Sequence, residues 1–277
     1  MWEARSTARR EEQAVISRPL TRSNRHLYDV IAVLFAQTLR TRYRGSALGV
    51  IWSAANPALM ALAYTFVFGH LFGRYYGSIV QYGYAVYIGL ALIGFFMSAT
   101  TQATSSIVQA GGLLNKIRIP FEAFPISTVA AFGFQQVVAT LPIMIVLSLV
   151  INHNVLHVLL LAVPLTGLAM LTFGVALFLS AADVYFRDIP YIYDLCTFLL
   201  FVTTPVFYPA ASLHPDVLRI ISYNPLFSII ESARALVLTS ALPNATMLAL
   251  SFVEGAVILG LGYLAFRAMR PKFMDLV

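Results

Sequence analysis

Lysine, cysteine and formal charge are all scarce in this chain. Only Lys116 and Lys272 are lysines, and neither follows a glycine. A phosphate-cradling loop needs GxxxxGK[ST], with backbone amides wrapped round the phosphates and the lysine reaching them. This chain therefore binds no nucleotide in that way. Cys196 is the one cysteine, which excludes an intrachain disulfide and argues against a cysteine-built metal site. Its thiol is read as apolar packing. Charged residues make up 11% of the 277, against about 25% in soluble domains, while 59% are hydrophobic. That balance describes an integral membrane protein. The 12 acids and 5 histidines are scattered, so an intramembrane enzyme with clustered His, Asp and Arg finds no support.

The few charges that exist punctuate the chain. Arg40, Arg42 and Arg44 are followed by 29 residues without Asp, Glu, Lys or Arg, up to Arg74. As a helix rising about 1.5 Å per residue, such a run outspans a hydrocarbon core of about 30 Å. A guanidinium at mid-bilayer costs roughly 2.5 to 3.5 kcal/mol, so the arginines stay on the wet side. Residues 75–115 and 123–182 are charge-free in the same way. The spacing predicts six spans, near 46–73, 82–109, 122–151, 155–182, 190–207 and 245–268. Of the 18 Lys and Arg residues, only Arg74, Arg219 and Arg234 then fall outside, and the other 15 lie inside. The positive-inside bias puts both termini in the cytoplasm. It also accounts for the net charge of +6 without nucleic acid.

Residues 1–23 carry mixed charge and no long apolar core, and read as a mobile cytoplasmic tail. Residues 24–44 form a two-faced helix. Leu27, Val30, Ile31, Leu34, Phe35 and Leu39 gather on one side, with Arg25, Asp29, Arg40 and Arg44 on the other. Such a helix lies in the membrane interface with its arginines on anionic headgroups, or packs on a cytoplasmic partner. Between spans 5 and 6 the chain alternates apolar runs with Pro209, Pro215, Pro225 and Pro243. Those pieces are too short to cross. They are either paired re-entrant helices dipping from outside or a flat outer cap. Glu254 sits inside span 6 and requires a partner. Glu231 and Arg234, at i and i+3, pair with each other, or Arg234 answers Glu254. A lone intramembrane acid is a thin basis for a proton relay. His153 and His157 flank the turn between spans 3 and 4, as a wet turn or a metal pair.

Several strings match one family: RYRGSALGVIW from Arg42 to Trp52 with Asn56 and Pro57; Pro120, Glu122 and Pro125 as PxExxP; Arg187, Asp188 and Ile189; and Asn224 and Pro225 followed by Glu231 and Arg234. Over residues 25–277 the chain resembles the membrane subunit of ABC-2 type polysaccharide exporters, the O-antigen, capsule and teichoic acid permeases. The resemblance implies an all-α polytopic fold, residues 45–277 forming a six-helix transmembrane domain behind an interface helix, with re-entrant helices after span 5. It further implies a homodimer in the bacterial inner membrane, two copies of an ABC ATP-binding subunit holding ATP and Mg, and a lipid-linked polysaccharide as cargo. A drug or small-lipid exporter of the same superfamily shares this topology.

The resemblance directs attention to the first inner loop, residues 113–120 (LLNKIRIP), as the element docking on the ATPase. Leu113, Leu114 and Ile117 would fill a groove while Lys116 and Arg118, beside Asn115, meet acidic rims; an ordinary connecting loop is the alternative. Arg187 and Asp188 either add a second contact or cap helices. For the polymer path, span 2 offers Tyr84, Tyr87, Phe95, Gln102 and Gln109 at helical spacing, and span 1 offers Trp52, Asn56, Tyr64 and Phe68. Span 3 adds Phe132, Gln135 and Gln136. Sugars present apolar C–H faces ringed by hydroxyls, so aromatic rings with sparse amides let a polymer slide. Interfacial belts and helix packing are the competing use of the same rings.

Overall fold

The structure, a computed structural model, describes residues 20–43, 49, 51–114 and 119–276, with side chains from residue 27 onward except 43, 274 and 275. Residues 1–19 of the expected tail lie outside the described residues, as do Arg44, Asn115, Lys116, Ile117 and Arg118 and the side chain of Arg25.

Helices account for the regular structure among the described residues. The amphipathic helix α1 is Leu20–Tyr43, and α2 is Ile51–Phe72. Gly49, with φ of 46°, makes the left-handed turn between them that a residue with a side chain rarely adopts. α3 is Ile79–Thr104, followed by single turns α4 Ser106–Gln109 and α5 Gly111–Leu114. α6 is Ala123–Ala139, α7 Leu141–Asn152, α8 Val155–Leu160 and α9 Ala162–Tyr185. α10 is Ile189–Thr203, α11 Pro215–Ile221, α12 Pro225–Leu238, α13 Ala245–Met269 and α14 Phe273–Leu276.

Among the described residues, five runs are long and apolar enough to cross a membrane: Ile51–Tyr75, Ile79–Thr104, Ala123–Asn152, Val155–Tyr185 and Ala245–Lys272. They coincide with five of the six expected spans. The third and fourth are each broken. Pro142 has no amide to offer the Val138 carbonyl and Pro164 none for Leu160, so the helix resets near Thr140 and Leu161. The fifth expected span is shorter than the sequence predicts. α10 stops at Thr203 because Pro205 pushes Thr204 into an extended conformation (φ −80°, ψ 131°). Its 15 residues reach only about 22 Å.

α9 and α13 form the tightest contact in the bundle. They run parallel, and Gly167 and Gly174 of α9 face Gly255 and Gly262 of α13. Residues seven apart return to the same helix face. A Cβ on Gly255 would stand 2.2 Å from the Gly167 carbonyl oxygen, and one on Gly262 2.1 Å from that of Gly174. The backbones therefore touch, as small residues allow in membranes, where apolar side chains gain nothing by leaving lipid.

α12 is buried between α3, α7, α9 and α13. Its start explains the Asn224–Pro225 pair: Asn224 Oδ1 accepts from the Leu226 amide at 3.0 Å while Pro225 supplies a preset φ. The Asn224 amide also donates to Thr204 Oγ1 at 2.8 Å, tying the end of α10 to the start of α12. Asn224→Ala is expected to cost about 1 kcal/mol for the cap alone, and more with the Thr204 bond, read as a lower unfolding temperature in detergent. At its other end, Ser148 and Asn152 of α7 donate to the Leu236 carbonyl at 3.1 and 2.8 Å. His157 is fully buried there, with Nδ1 3.2 Å from the same carbonyl, rather than in a wet turn.

The amphipathic reading of α1 holds, with a different neighbour. Its apolar face, including Leu34 and Phe35, packs on α6 of the same chain, and Phe35 meets Phe134 edge-on at 5.8 Å. Cys196 is exposed on α10, not packed.

Candidate functional site

Spans 1 to 3 do not close on one another. α2, α3 and α6 leave a cleft of about 660 Å³. Trp52, Ser53, Asn56 and Met60 line it from α2, Phe95 and Ser98 from α3, and Phe132, Gln135 and Gln136 from α6. Phe201 of α10, Arg42 of α1 and the aliphatic Leu59, Leu90, Ile93 and Met97 also line it. The Arg42 guanidinium lies 4.0 Å from the Phe132 ring centroid, a cation–π contact. Gln135 Nε2 donates to Ser53 Oγ, joining spans 1 and 3. Gln135 Oε1 and Gln136 Nε2 are buried and make no hydrogen bond with the described residues. Rings, amides and hydroxyls thus share one wall, with no carboxylate, lysine or histidine among the described lining residues. Such a surface stacks and hydrogen-bonds; it offers no group for acid–base chemistry.

Six of the expected path residues meet here: Trp52, Asn56, Phe95, Phe132, Gln135 and Gln136. Six do not. Tyr64 and Phe68 are half-buried in a separate stack, where Tyr64 lies 5.1 Å from Phe207 at 12° and Phe68 6.2 Å from Tyr64. They keep their shared face, but helix packing claims it. Tyr87 is buried, Tyr84 is half-buried outside the cleft, and Gln102 and Gln109 are exposed away from it. Phe201 went unrecognised in the sequence because it comes from a distant helix.

Arg234 is not an outer-loop charge. It is 3% exposed and hydrogen-bonded on every side: Nε to the Ala85 carbonyl at 2.9 Å, Nη1 to Pro205 O at 2.7 Å and to Glu231 at 2.8 Å, and Nη2 to Val206 O. Of the two expected partners, Glu231 is the one it takes. Glu254 instead accepts from Ser228 Oγ at 2.5 Å, linking α13 to α12. Gly89 makes the room, since a Cβ there would lie 2.6 Å from Nη2. Tyr76, in the turn between spans 1 and 2, is held above the ordinary phenol range by burial, with Arg234 opposing.

These features have relatives. Residues 29–238 match the ABC-2 type transporter membrane family model. The chain belongs to this family. An O-antigen export system permease protein RfbA of Myxococcus xanthus is 30% identical over 91% of this chain and 97% of its own. One from Klebsiella pneumoniae is 29% identical over 91% and 96%. The polysialic acid transport protein KpsM of Escherichia coli is 21% identical over 88% and 95%. The family match covers the cleft and ends with α12, so it contains the Arg234 cluster and stops short of span 6.

At the other end of this ABC-2 domain, the two leucines of the loop that follows span 2 part company. Leu113 is exposed, whereas Leu114 is buried among Ile107, Phe121, Phe124, Leu177 and Phe273 and cannot fill a partner's groove. Phe186, 66% exposed, stands beside Arg187 and offers an apolar surface the sequence did not flag. Arg187 donates to the Leu276 carbonyl at 3.2 Å. Asp188 occupies the N-cap position of α10 without a side-chain capping bond, and Arg40 is exposed on α1.

Proposed function

We propose that this multi-pass membrane protein is the permease subunit of an ATP-driven ABC exporter that carries a lipid-linked, O-antigen-like polysaccharide outward across the bacterial inner membrane. The observation that carries this reading is the cleft, where four aromatic rings, three amides and two hydroxyls share one lining. Sugar rings stack on the aromatics by their C–H faces and exchange water for amide hydrogen bonds, with Arg42 the one charged side chain among the described lining residues. The names of the relatives point to the same cargo class.

The missing P-loop assigns ATP and Mg to a separate subunit. Two copies of this chain and two of that subunit make the transporter, with both termini and residues 113–120 on the cytoplasmic side, where Leu113, Phe186, Arg187 and Asp188 receive the ATPase. α12 with α11 is the outer re-entrant pair, its polar ends shielded by α7 and by the 204–209 segment.

The test is export by the purified two-subunit complex in proteoliposomes. ATP-dependent transfer of lipid-linked glycan is expected, and Trp52→Ala with Phe132→Ala should lower it about tenfold, equivalent to about 1.4 kcal/mol of lost ring contact. Transport of small amphiphiles but not glycan would instead favour a drug or small-lipid exporter.

A further inference from the structure

Leu114 and Phe121, the described residues on either side of 115–118, are both buried in one cluster at the inner end of the bundle. The cluster gathers Ile107 from α4, Phe124 from α6, Leu177, Ala181 and Val184 from α9 and Phe266 from α13, with Leu34 of α1 against its edge. Phe273, from the turn that follows span 6, is fully buried within it. Its ring meets Phe121 at 5.3 Å, Phe266 at 5.5 Å and Tyr185 at 6.3 Å, each close to perpendicular. Tyr185 donates to the Met269 carbonyl at 2.8 Å. Arg270 pairs with Glu122, one residue beyond Phe121, and the Arg187 bond to Leu276 closes the same turn onto the second inner loop.

We infer that residues 270–276 are a positioning strut, in which Phe273 and the Arg270–Glu122 pair clamp the first inner loop to the inner ends of spans 4 and 6. The inference rests on the reading that this loop receives the ATP-binding subunit. Three features make the strut a transmission element and not mere packing. It touches the loop's far side directly, through Phe121 and Glu122, and shares one buried cluster with Leu114 on the near side. The spans it holds move as one, because α9 and α13 touch backbone to backbone along Gly167, Gly174, Gly255 and Gly262. α13 is in turn bonded to the outer helix α12 through Glu254 and Ser228. A push on the loop therefore reaches α12 through rigid neighbours, whereas without the strut it dissipates in the loop. Packed cores pass on displacement because they lack the free volume to absorb it.

The experiment uses the full chain with its ATP-binding subunit in proteoliposomes, measuring glycan exported per ATP hydrolysed. Phe273→Ala and Arg270→Glu are expected to leave the ATPase rate within about twofold and to lower export per ATP about fivefold or more, the range of ordinary site-to-site coupling. The double exchange Arg270→Glu with Glu122→Arg should restore the ratio, which a purely destabilising change would not. Arg270 is half-exposed, so this pair remains informative if Phe273→Ala fails to assemble. An unchanged ratio in both single variants, or ATPase and export falling in proportion, overturns the strut. In a Cys196→Ser background, Leu113→Cys cross-linked to the ATP-binding subunit tests the docking reading by itself. No cross-link removes that reading and the strut with it; a cross-link with an unchanged ratio removes the strut alone.

Discussion

Leucine in place of Gly174 or Gly262 is expected to abolish accumulation of folded protein. A Cβ at Gly174 would stand 2.4 Å from the Ile258 carbonyl oxygen and one at Gly262 2.1 Å from the Gly174 oxygen. Those obstacles are backbone, so no rotamer change relieves them, and the two helices must separate along their length. Even Gly262→Ala should cost at least the roughly 1 to 3 kcal/mol of an overpacked core and lower the unfolding temperature in detergent. Gly133→Ala is the control. A Cβ there meets nothing within 4 Å, and helix propensity favours alanine by roughly 0.5 to 1 kcal/mol. Fluorescence-detected size-exclusion after heating separates the two outcomes. Equal melting of Gly262→Ala and the parent protein would show that α9 and α13 are not in backbone contact.

Arg234→Met should be nearly as damaging. It strips bonds from the carbonyls of Ala85, Pro205 and Val206 and leaves Glu231 without its ion-pair partner. Breaking a buried pair from one side costs about 3 to 5 kcal/mol. Lysine keeps the charge but places its donors at one point, whereas the guanidinium fork reaches separate carbonyls, so Arg234→Lys should recover only part of the loss. Gly89→Ala attacks the same cluster from span 2, because its methyl would stand 2.6 Å from Nη2. If that variant melts with the parent, the guanidinium does not sit where the fold places it.

The spans were legible because formal charge marks their ends. Arg44, Arg74, Asp183 and Arg267 delimit runs that only a bilayer explains, and the interface helix showed its two faces as plain periodicity. Proline left a readable trace at Pro142, Pro164 and Pro205, and weighing Pro205 would have ended span 5 four residues early. The candidate site was half legible. A helical stripe tells which residues share a face, not what the face meets, so Trp52 and Asn56 reached the cleft while Tyr64 and Phe68 went to Phe207. Arg234 had a visible partner in Glu231 at i−3 but invisible ones in carbonyls of an irregular segment 28 and 29 residues upstream. The seven-residue glycine spacing stands in the sequence twice. Its meaning emerges only when the two copies, 88 positions apart, are laid together.

The brevity of α10 has a consequence for the lipid around it. Fifteen residues leave about 8 Å of a hydrocarbon slab about 30 Å thick without a crossing helix. Acyl chains there must splay or thin, at a modest cost per ångström of mismatch. Part of the gap is filled by the chain's own carbonyls at Pro205 and Val206, held in place by one guanidinium. On this flank the helix alone does not bridge an apolar slab of that thickness, and the rest falls to the chain that follows it.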